Sequence, residues 1–312
     1  MLSLFLASFL TFVELNCENL FDCQHDTLKE DYEFLSDGSY HWTPNKYWKK
    51  LNHIGQALLS CGGDTIGSRL PDIIALTEVE NDTVMRDLTK RSLLRNAHYD
   101  YVMTSSRDVR GIDVALMYSP FSFRPMSSKS IRVDMPKGQR PTRDILYVKG
   151  TTLKTKSMHI FVVHAPSRMS GEMNTRPLRM LVAKKLCETI DSISQDDAKA
   201  HIVVMGDFND YTTNAPLQYI LQHGMYNVTD TCRGSNGAKA TYKYHGEWGS
   251  IDHIFVNGLL RNSVVACRIN DAQFLIEEDK KYGGIKPFRN FYGRTWQNGY
   301  SDHLPLVMTI SM

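Results

Sequence analysis

The sequence predicts a mixed α/β or α+β fold built round one large core. Three observations point there. Short apolar runs alternate with helical patterns along all 312 residues. The runs are rich in Val, Ile, Leu, Phe and Tyr and are bounded by polar or turn residues, as strands are. No internal repeat and no Pro/Gly/Ser-rich linker divides the chain.

The chain opens with MLSLFLASFLTFV, a thirteen-residue apolar stretch too short to span a bilayer. It resembles the apolar core of a secretory signal, yet no Lys or Arg precedes it and no A-x-A site follows. Two readings of residues 1–10 stay open: a signal remnant, or a disordered lead to an apolar first strand. The first implies export to a periplasm or the medium, the second the cytoplasm. Residues 11–312 are expected to form a single domain. No other segment suggests a membrane span, and no obligate protein partner is evident.

The first strand is TFVEL (11–15). A helix then opens with Thr43 as N-cap and Pro44 at the first helical position. Its apolar residues Tyr47, Leu51, Ile54 and Leu58 recur every three or four positions, and Gly62 and Gly63 end it. Strand 72–79 leads to a second helix near Asn81. Strands follow at 99–103, 112–118, 144–150 and 158–164. A third helix runs from Thr175 to Ile193 with Leu178, Leu181, Val182, Leu186 and Ile190 on one face. The last strands are 201–206, 250–256, 263–269 and 304–310. A hairpin-like pairing of 112–118 with 144–150 argues for mixed rather than purely parallel sheets.

Apolar residues at 42% and charged residues at 22% exclude a disordered or coiled-coil chain. The net charge of +2 is too small to argue for a nucleic-acid partner by itself. Six scattered cysteines without a CxxC indicate neither a structural zinc site nor a disulfide framework. They fit a reducing compartment slightly better than an oxidising one. Residues 121–158 carry nine basic side chains against two acidic ones. They read as a solvated hairpin or as a docking surface for an anionic substrate.

The out-of-place polar residues share one location, the far end of an apolar strand. FVELN leads to Asn16 and Glu18, IIALTEVEN to Glu78 and Asn81, and IFVVH to His164. IVVMGDFND leads to Asp207, Asn209 and Asp210. In open α/β sheets such ends converge on one crevice where ligands bind. Asp252 in GSIDHIF and the triplet Ser301-Asp302-His303 add candidates. Hard oxygen donors without cysteine suit Mg²⁺ or Mn²⁺ better than zinc.

The pieces LNCENLFD, IALTEVEN, RGIDVALMY, RPTRDILYV, VVHAPSR, VMGDFND, GSIDHIFV and GYSDHLP follow one another over residues 14–306. In that order they resemble the endonuclease/exonuclease/phosphatase superfamily, which includes pancreatic-type deoxyribonuclease and apurinic endonucleases. The resemblance implies a deoxyribonuclease-like four-layer sandwich: two packed mixed β-sheets flanked by helices. It implies Glu78 as the main metal ligand, with Asn16 and Asp302 completing the shell and Glu18 nearby. It implies Asp207 as the residue that orients and deprotonates the attacking water, and Asn209 as a holder of phosphate oxygen or metal. His303 is implied against the scissile phosphate with Asp252 as its carboxylate partner, and His164 beside the leaving oxygen. His253 reads as structural. Arg143, Arg168, Arg110, Lys243 and Arg294 are candidate substrate cations.

The expected activity is therefore divalent-metal-dependent phosphoester hydrolysis, by in-line attack of an Asp-activated water. A nuclease or phosphodiesterase acting on DNA or RNA comes first. A phosphatase or sphingomyelinase-like phospholipase on the same fold is the alternative, and a non-catalytic binding module is the remote one. Inositol-phosphatase relatives carry Arg after the orienting Asp; here His253 follows Asp252. The retained Asn16, Glu78, Asp207, Asn209, Asp252, Asp302 and His303 argue against the binding module.

Overall fold

The computed structural model describes residues 9–62, 69–152, 157–169 and 171–312. Two six-stranded mixed sheets form its centre. Each has a single parallel pair of strands in its interior and antiparallel neighbours outside it.

The first sheet takes β1 (Phe9–Leu20), β2 (Ile73–Val79), β3 (Asp100–Met103) and β4 (Asp113–Tyr118). The second takes β5 (Phe123–Ile131), β6 (Ile145–Thr152), β7 (Ser157–His164), β8 (His201–Asp207) and β9 (Met225–Asn227). β10 (Tyr242–Tyr244) and β11 (Glu247–Gly249) make a small hairpin, and β12 (Asp252–Asn257) returns to the second sheet. β13 (Val264–Ile269) returns to the first. Two more hairpins, β14 (Ile276–Glu278) with β15 (Ile285–Pro287) and β16 (Phe291–Tyr292) with β17 (Thr295–Trp296), precede β18 (Leu306–Ser311). The sheet orders are β13-β18-β1-β2-β4-β3 and β5-β6-β7-β8-β12-β9.

The helices are α1 (Pro44–Leu59), α2 (Asp82–Lys90), α3 (Glu172–Asp196), α4 (Ala215–Gln222) and the short α5 (Gly258–Arg261). Thr43 stands at the N-cap of α1 in extended conformation, without a side-chain capping bond. Asn81 caps α2 fully: its side chain accepts from Val84 N. One apolar cluster joins the inner faces of both sheets to α1 and α2, with Phe12, Val13, Leu15, Ile74, Leu76, Val203, Met205 and Ile254 fully buried. A second lies between α3, α4 and the outer face of the second sheet, around Phe161, Leu186, Ile202 and Phe255.

Three expectations need correction. Strand 112–118 does not pair with 144–150. β4 pairs with β2 and β3, β6 pairs with β5 and β7, and the two meet only across the space between the sheets. The cause is β5, which the sequence hides. It is an edge strand, mostly exposed, and reads FRPMSSKSI with a proline and no apolar alternation. A turn at Ser119–Ser122 carries the chain from one sheet to the other. The basic segment thus contains a solvated hairpin, β5–β6; its Lys154 and Lys156 lie outside the described residues, as does Gly63.

The second correction concerns the N-terminal lead. Phe9 and Leu10 belong to β1 and pair with Ser311 and Ile310, so a lead ending at residue 10 overlaps the strand. Residues 1–8 lie outside the described residues. The third concerns α3. Its most buried face is Thr175, Arg179, Val182, Leu186 and Ile190, whereas Leu178 and Leu181 sit only half-buried at its edge. An ion pair between Arg179 and Asp210, described below, draws the arginine inward. Among the described residues no helix is long and apolar enough to cross a membrane.

Candidate active site

The two parallel pairs set the geometry. Asn16 and Glu78 lie where the parallel register of β1 and β2 is interrupted, between the pairs Asn16–Thr77 and Leu20–Val79, and β7 and β8 end in register with His164 opposite Asp207. β12 runs antiparallel to β8, so its first residue, Asp252, also lies opposite Asp207. β18 runs antiparallel to β1, so His303, just ahead of it, returns to the same end. The antiparallel strand begins where the parallel one finishes, and six candidates from six strands meet.

The local backbone is shaped for this meeting. Eight non-glycine described residues have positive φ, and four of them (Glu18, Asn19, Glu78 and Asn209) sit at these strand ends. Strained backbone of this kind persists only where surrounding contacts impose it, which marks the place as a site. The contacts are visible: Asn19 N donates to Glu78 Oε2 at 2.8 Å, and Asn209 N donates to Asp207 Oδ1 at 2.8 Å. Gly206 has φ 147°, and a Cβ there would stand 1.8 Å from Val163 O, so the GDFND turn admits no other residue.

Asp207 is the hub. Its Oδ2 accepts from Asn16 Nδ2 at 3.1 Å and Asn209 Nδ2 at 3.2 Å, and lies 3.7 Å from His164 Nε2. The same His164 nitrogen is 3.8 Å from Glu78 Oε1. His303 Nδ1 is 2.8 Å from Asp252 Oδ2, and Thr241 donates its hydroxyl to that carboxylate. Ligand atoms of Asp207, Asp252 and His303 all fall within 4.8 Å of one another. Ser301 Oγ donates to Asn16 O at 2.6 Å and accepts from His303 N at 3.2 Å, which locks the last loop to the first strand. The Tyr242 ring packs against His303, tilted by 37° with the centroids 4.8 Å apart.

Charge is unbalanced here. Burial, and then the Asp252 carboxylate, push Asp207 up to about 7. Beneath them lies Glu14, fully buried, with no hydrogen-bond partner for either oxygen. Burial and the carboxylates of Asp252 and Asp207 hold it well above the usual range, as a neutral acid. For His303 burial works against the cation, but Asp252 outweighs it and the ring is held charged. His164 goes the other way: burial, with Arg143 and Arg110 nearby, keeps it neutral. A divalent cation fits such a place. Glu78, Asp207 and Asn16 offer hard oxygen atoms, and their crowded negative charge is what a cation would neutralise.

The remaining candidates separate. Glu18 gives its oxygens to Asn290 N at 2.6 Å and Phe291 N at 3.1 Å, with Lys50 Nζ at 3.9 Å. It anchors the last loop rather than facing the centre. Asp302 binds Arg289 at 2.9 Å and stands 4.0 Å from His303 Nε2. Arg143 is buried; it donates to Asp108 at 3.3 Å and to Ala165 O at 2.7 Å, the carbonyl Asn209 also uses. Arg110 is half-exposed beside Asp108. Arg168 lies over the Tyr211 ring at 4.5 Å. Lys243 is consumed by Asp279 at 2.8 Å, and Arg294 pairs on the surface with Glu33 at 3.7 Å. His253 is buried between Asn227 and Asp210 O.

Sequence reasoning missed several supports. Arg179 is 1% exposed and its Nε donates to Asp210 Oδ2 at 2.8 Å, fixing the loop that carries Asp207 and Asn209. Glu14 passed as one polar residue in a strand, and Thr241, Tyr242 and Ser301 carry no motif. The only signal was position: Thr241 and Tyr242 precede a catalytic-looking strand, and Ser301 adjoins Asp302.

A model of the Endonuclease/Exonuclease/phosphatase family matches residues 11–312. Among solved structures, a family protein from Bacteroides thetaiotaomicron superposes with a TM-score of 0.64 at 15% identity, covering 97% of this chain and 95% of its own. D. rerio TDP2, humanized by 14 mutations, gives 0.60 at 16%, with 97% and 99% covered. A mannosyl-6-phosphatase of B. thetaiotaomicron gives 0.61 at 14%, with 96% and 98% covered. No curated protein matches the sequence. With the family model spanning the described sheets and every strand end of the site, the chain belongs to the Endonuclease/Exonuclease/phosphatase family.

Proposed function

We propose that the protein is a divalent-metal-dependent phosphodiesterase, acting on DNA or RNA. The observation that carries this reading is Asp207 flanked in register by His164 and Asp252, with His303 held against Asp252. Mg²⁺ or Mn²⁺, held by Glu78 with Asn16 and Asp207 around it, would supply positive charge to a phosphoryl oxygen.

The residues divide the remaining work. Asp207, pushed up to about 7, orients the attacking water and takes its proton, a value suited to a base at neutral pH. Asn209 shares Asp207 and Ala165 O, and its amide can turn a donor toward a phosphate oxygen. His303, kept charged by Asp252, faces the negative charge that builds on the equatorial oxygens. His164, kept neutral, can offer its one ring N–H as a hydrogen bond to the leaving oxygen. Arg143 and Arg179 position the loops at residues 165 and 208–210. Asp302 supports His303 and Arg289.

The structural neighbours include both TDP2 and a mannosyl-6-phosphatase, so a phosphatase reading stands second. A panel assay decides. Purified protein is given Mg²⁺, Mn²⁺ or chelator with plasmid DNA, RNA, bis-(p-nitrophenyl) phosphate, sphingomyelin, and sugar and inositol phosphates. Metal-dependent cleavage of DNA or RNA is expected. Activity confined to monoesters or sphingomyelin would move the protein to the second reading.

A further inference from the structure

Beside the candidate centre lies a second cleft, of about 540 Å³, with Tyr211, Arg233, Lys239, Glu247, Trp248 and Ser250 in its lining. Its walls adjoin the site along the chain. Tyr211 lies two residues past Asn209, and Ser250 two before Asp252. The two loops run together, with Phe208 N donating to Ile251 O at 2.9 Å. Lys239 stands two residues before Thr241, which bonds Asp252.

The cations are built in rather than incidental. The loop that bears them is pinned by the buried carboxylate of Asp271, which accepts from Asn236 N at 2.7 Å and Ala238 N at 3.0 Å. Gly234 packs so close to that carboxylate that a Cβ would stand 2.1 Å from it. Ile269 N donates to Arg233 O at 3.2 Å, and Arg233 Nη1 is turned onto Cys232 O at 2.7 Å. Between the buried Ala238 and Ala240, Lys239 is left exposed. Among the described residues neither Arg233 nor Lys239 has a carboxylate within ion-pair distance (4.0 Å), whereas Lys243 and Arg289 nearby are both paired. Two rings wall the cleft. Tyr211 is held by the Arg168 guanidinium and by the missing side chain of Gly249, and Trp248 by Lys243 on its paired strand.

We propose that this cleft is a subsite for a second phosphate of the substrate, held by Arg233 and Lys239 with the attached group against Tyr211 and Trp248. Two unpaired cations on a rigid loop select an anion, and ring faces accept a base or sugar plane. The inference rests on the phosphoesterase reading and narrows it: substrates that carry a phosphate beyond the one attacked are preferred. The next phosphate of a polynucleotide and a second phosphate on a small polyol present the same chemistry.

The test uses the full chain and the double variant Arg233→Gln/Lys239→Gln, which removes both charges and keeps polar, unbranched stems at the two positions. Substrates are a tetrathymidylate, an inositol bisphosphate and bis-(p-nitrophenyl) phosphate. On whichever polyphosphorylated substrate the parent hydrolyses, kcat/KM is expected to fall about tenfold or more, mostly through KM. Cleavage of the nitrophenyl diester, which has no second phosphate, stays within about twofold. Equal loss on all substrates, or no loss on any, overturns the subsite. Should the parent hydrolyse nothing, the phosphoesterase reading fails, and binding of labelled tetrathymidylate in chelator then decides the subsite. There a salt dependence shallower by about 0.7 per cation removed supports it, and an unchanged one overturns it.

Discussion

His303 Nδ1 lies 2.8 Å from Asp252 Oδ2, and the carboxylate is itself fixed by the Thr241 hydroxyl. The pair joins the start of β12 in one sheet to the approach of β18 in the other, so the two sheets share a proton-bearing contact. Burial alone would discharge the imidazole; the carboxylate reverses that. Because folding raises this His above its free value near 6.5, the pair stabilises the fold in full below that pH. The contribution is lost as pH rises through the folded value. Asp252→Asn should therefore cost about 10²–10⁴ in kcat and move the alkaline limb of the pH profile to lower pH. A profile that keeps its alkaline limb would remove Asp252 from this role.

Asp207 is expected to be dispensable for folding and needed for turnover. Burial and Asp252 raise it to about 7 from an unfolded value of 3.8, so the metal-free fold loses stability as pH rises across that window. Asp207→Ala relieves this. At pH 8 in chelator its Tm should equal or exceed that of the parent, while activity falls by about 10²–10⁴. Calorimetry and single-turnover assays measure the two; near-normal turnover would refute the proposed base.

Glu14 gives a pH signature free of catalysis. Burial and its two carboxylate neighbours raise it well above 4.5, and the fold must keep it protonated. The parent therefore loses stability as pH climbs above about 4.5, by roughly 1.4 kcal/mol for each unit the folded value exceeds the unfolded one. Glu14→Gln cannot titrate. Its Tm advantage over the parent should be larger at pH 8 than at pH 5, and a constant difference would show that Glu14 does not titrate with folding.

Gly206→Ala is expected to fail structurally. The new methyl would sit 1.8 Å from Val163 O on a backbone at φ 147°, one pair before the end of the parallel β7–β8 ladder. Destabilisation of about 3–5 kcal/mol, read from urea midpoints, follows from that overlap and the backbone strain. A loss below about 1 kcal/mol would mean the pair can spread to admit it.

The strand ends were legible because apolar runs stop abruptly on Asn16, Glu78, His164 and Asp207, and a soluble core does not otherwise place amides and acids there. The catalytic-looking set came from that contrast together with the order of the motifs. Other parts were hidden for physical reasons. β5 is an edge strand whose exposed face has no need of apolar side chains, so FRPMSSKSI carries no period, and the false pairing of 112–118 with 144–150 followed. Arg179 reads as a surface residue because its partner, Asp210, lies on another element. Glu18, Lys243 and Arg294 looked available for the same reason: their partners Asn290, Asp279 and Glu33 come from distant loops. Charge on a side chain is visible in sequence; whether that charge is already spent is not.

β1 lies between β2 and β18, and its first half, Phe9 to Glu14, is paired with Ser311 to Leu306. These two partners lie far apart in the sequence and are joined only by the fold. Without the segment from Ser301 onward, Asn16 lacks Ser301, Asp252 lacks His303, and β1 lacks its hydrogen-bonded neighbour on one side. A cut ahead of Ser301 would thus spare most of the strands yet unfasten the two sheets at the very edge where their polar residues gather.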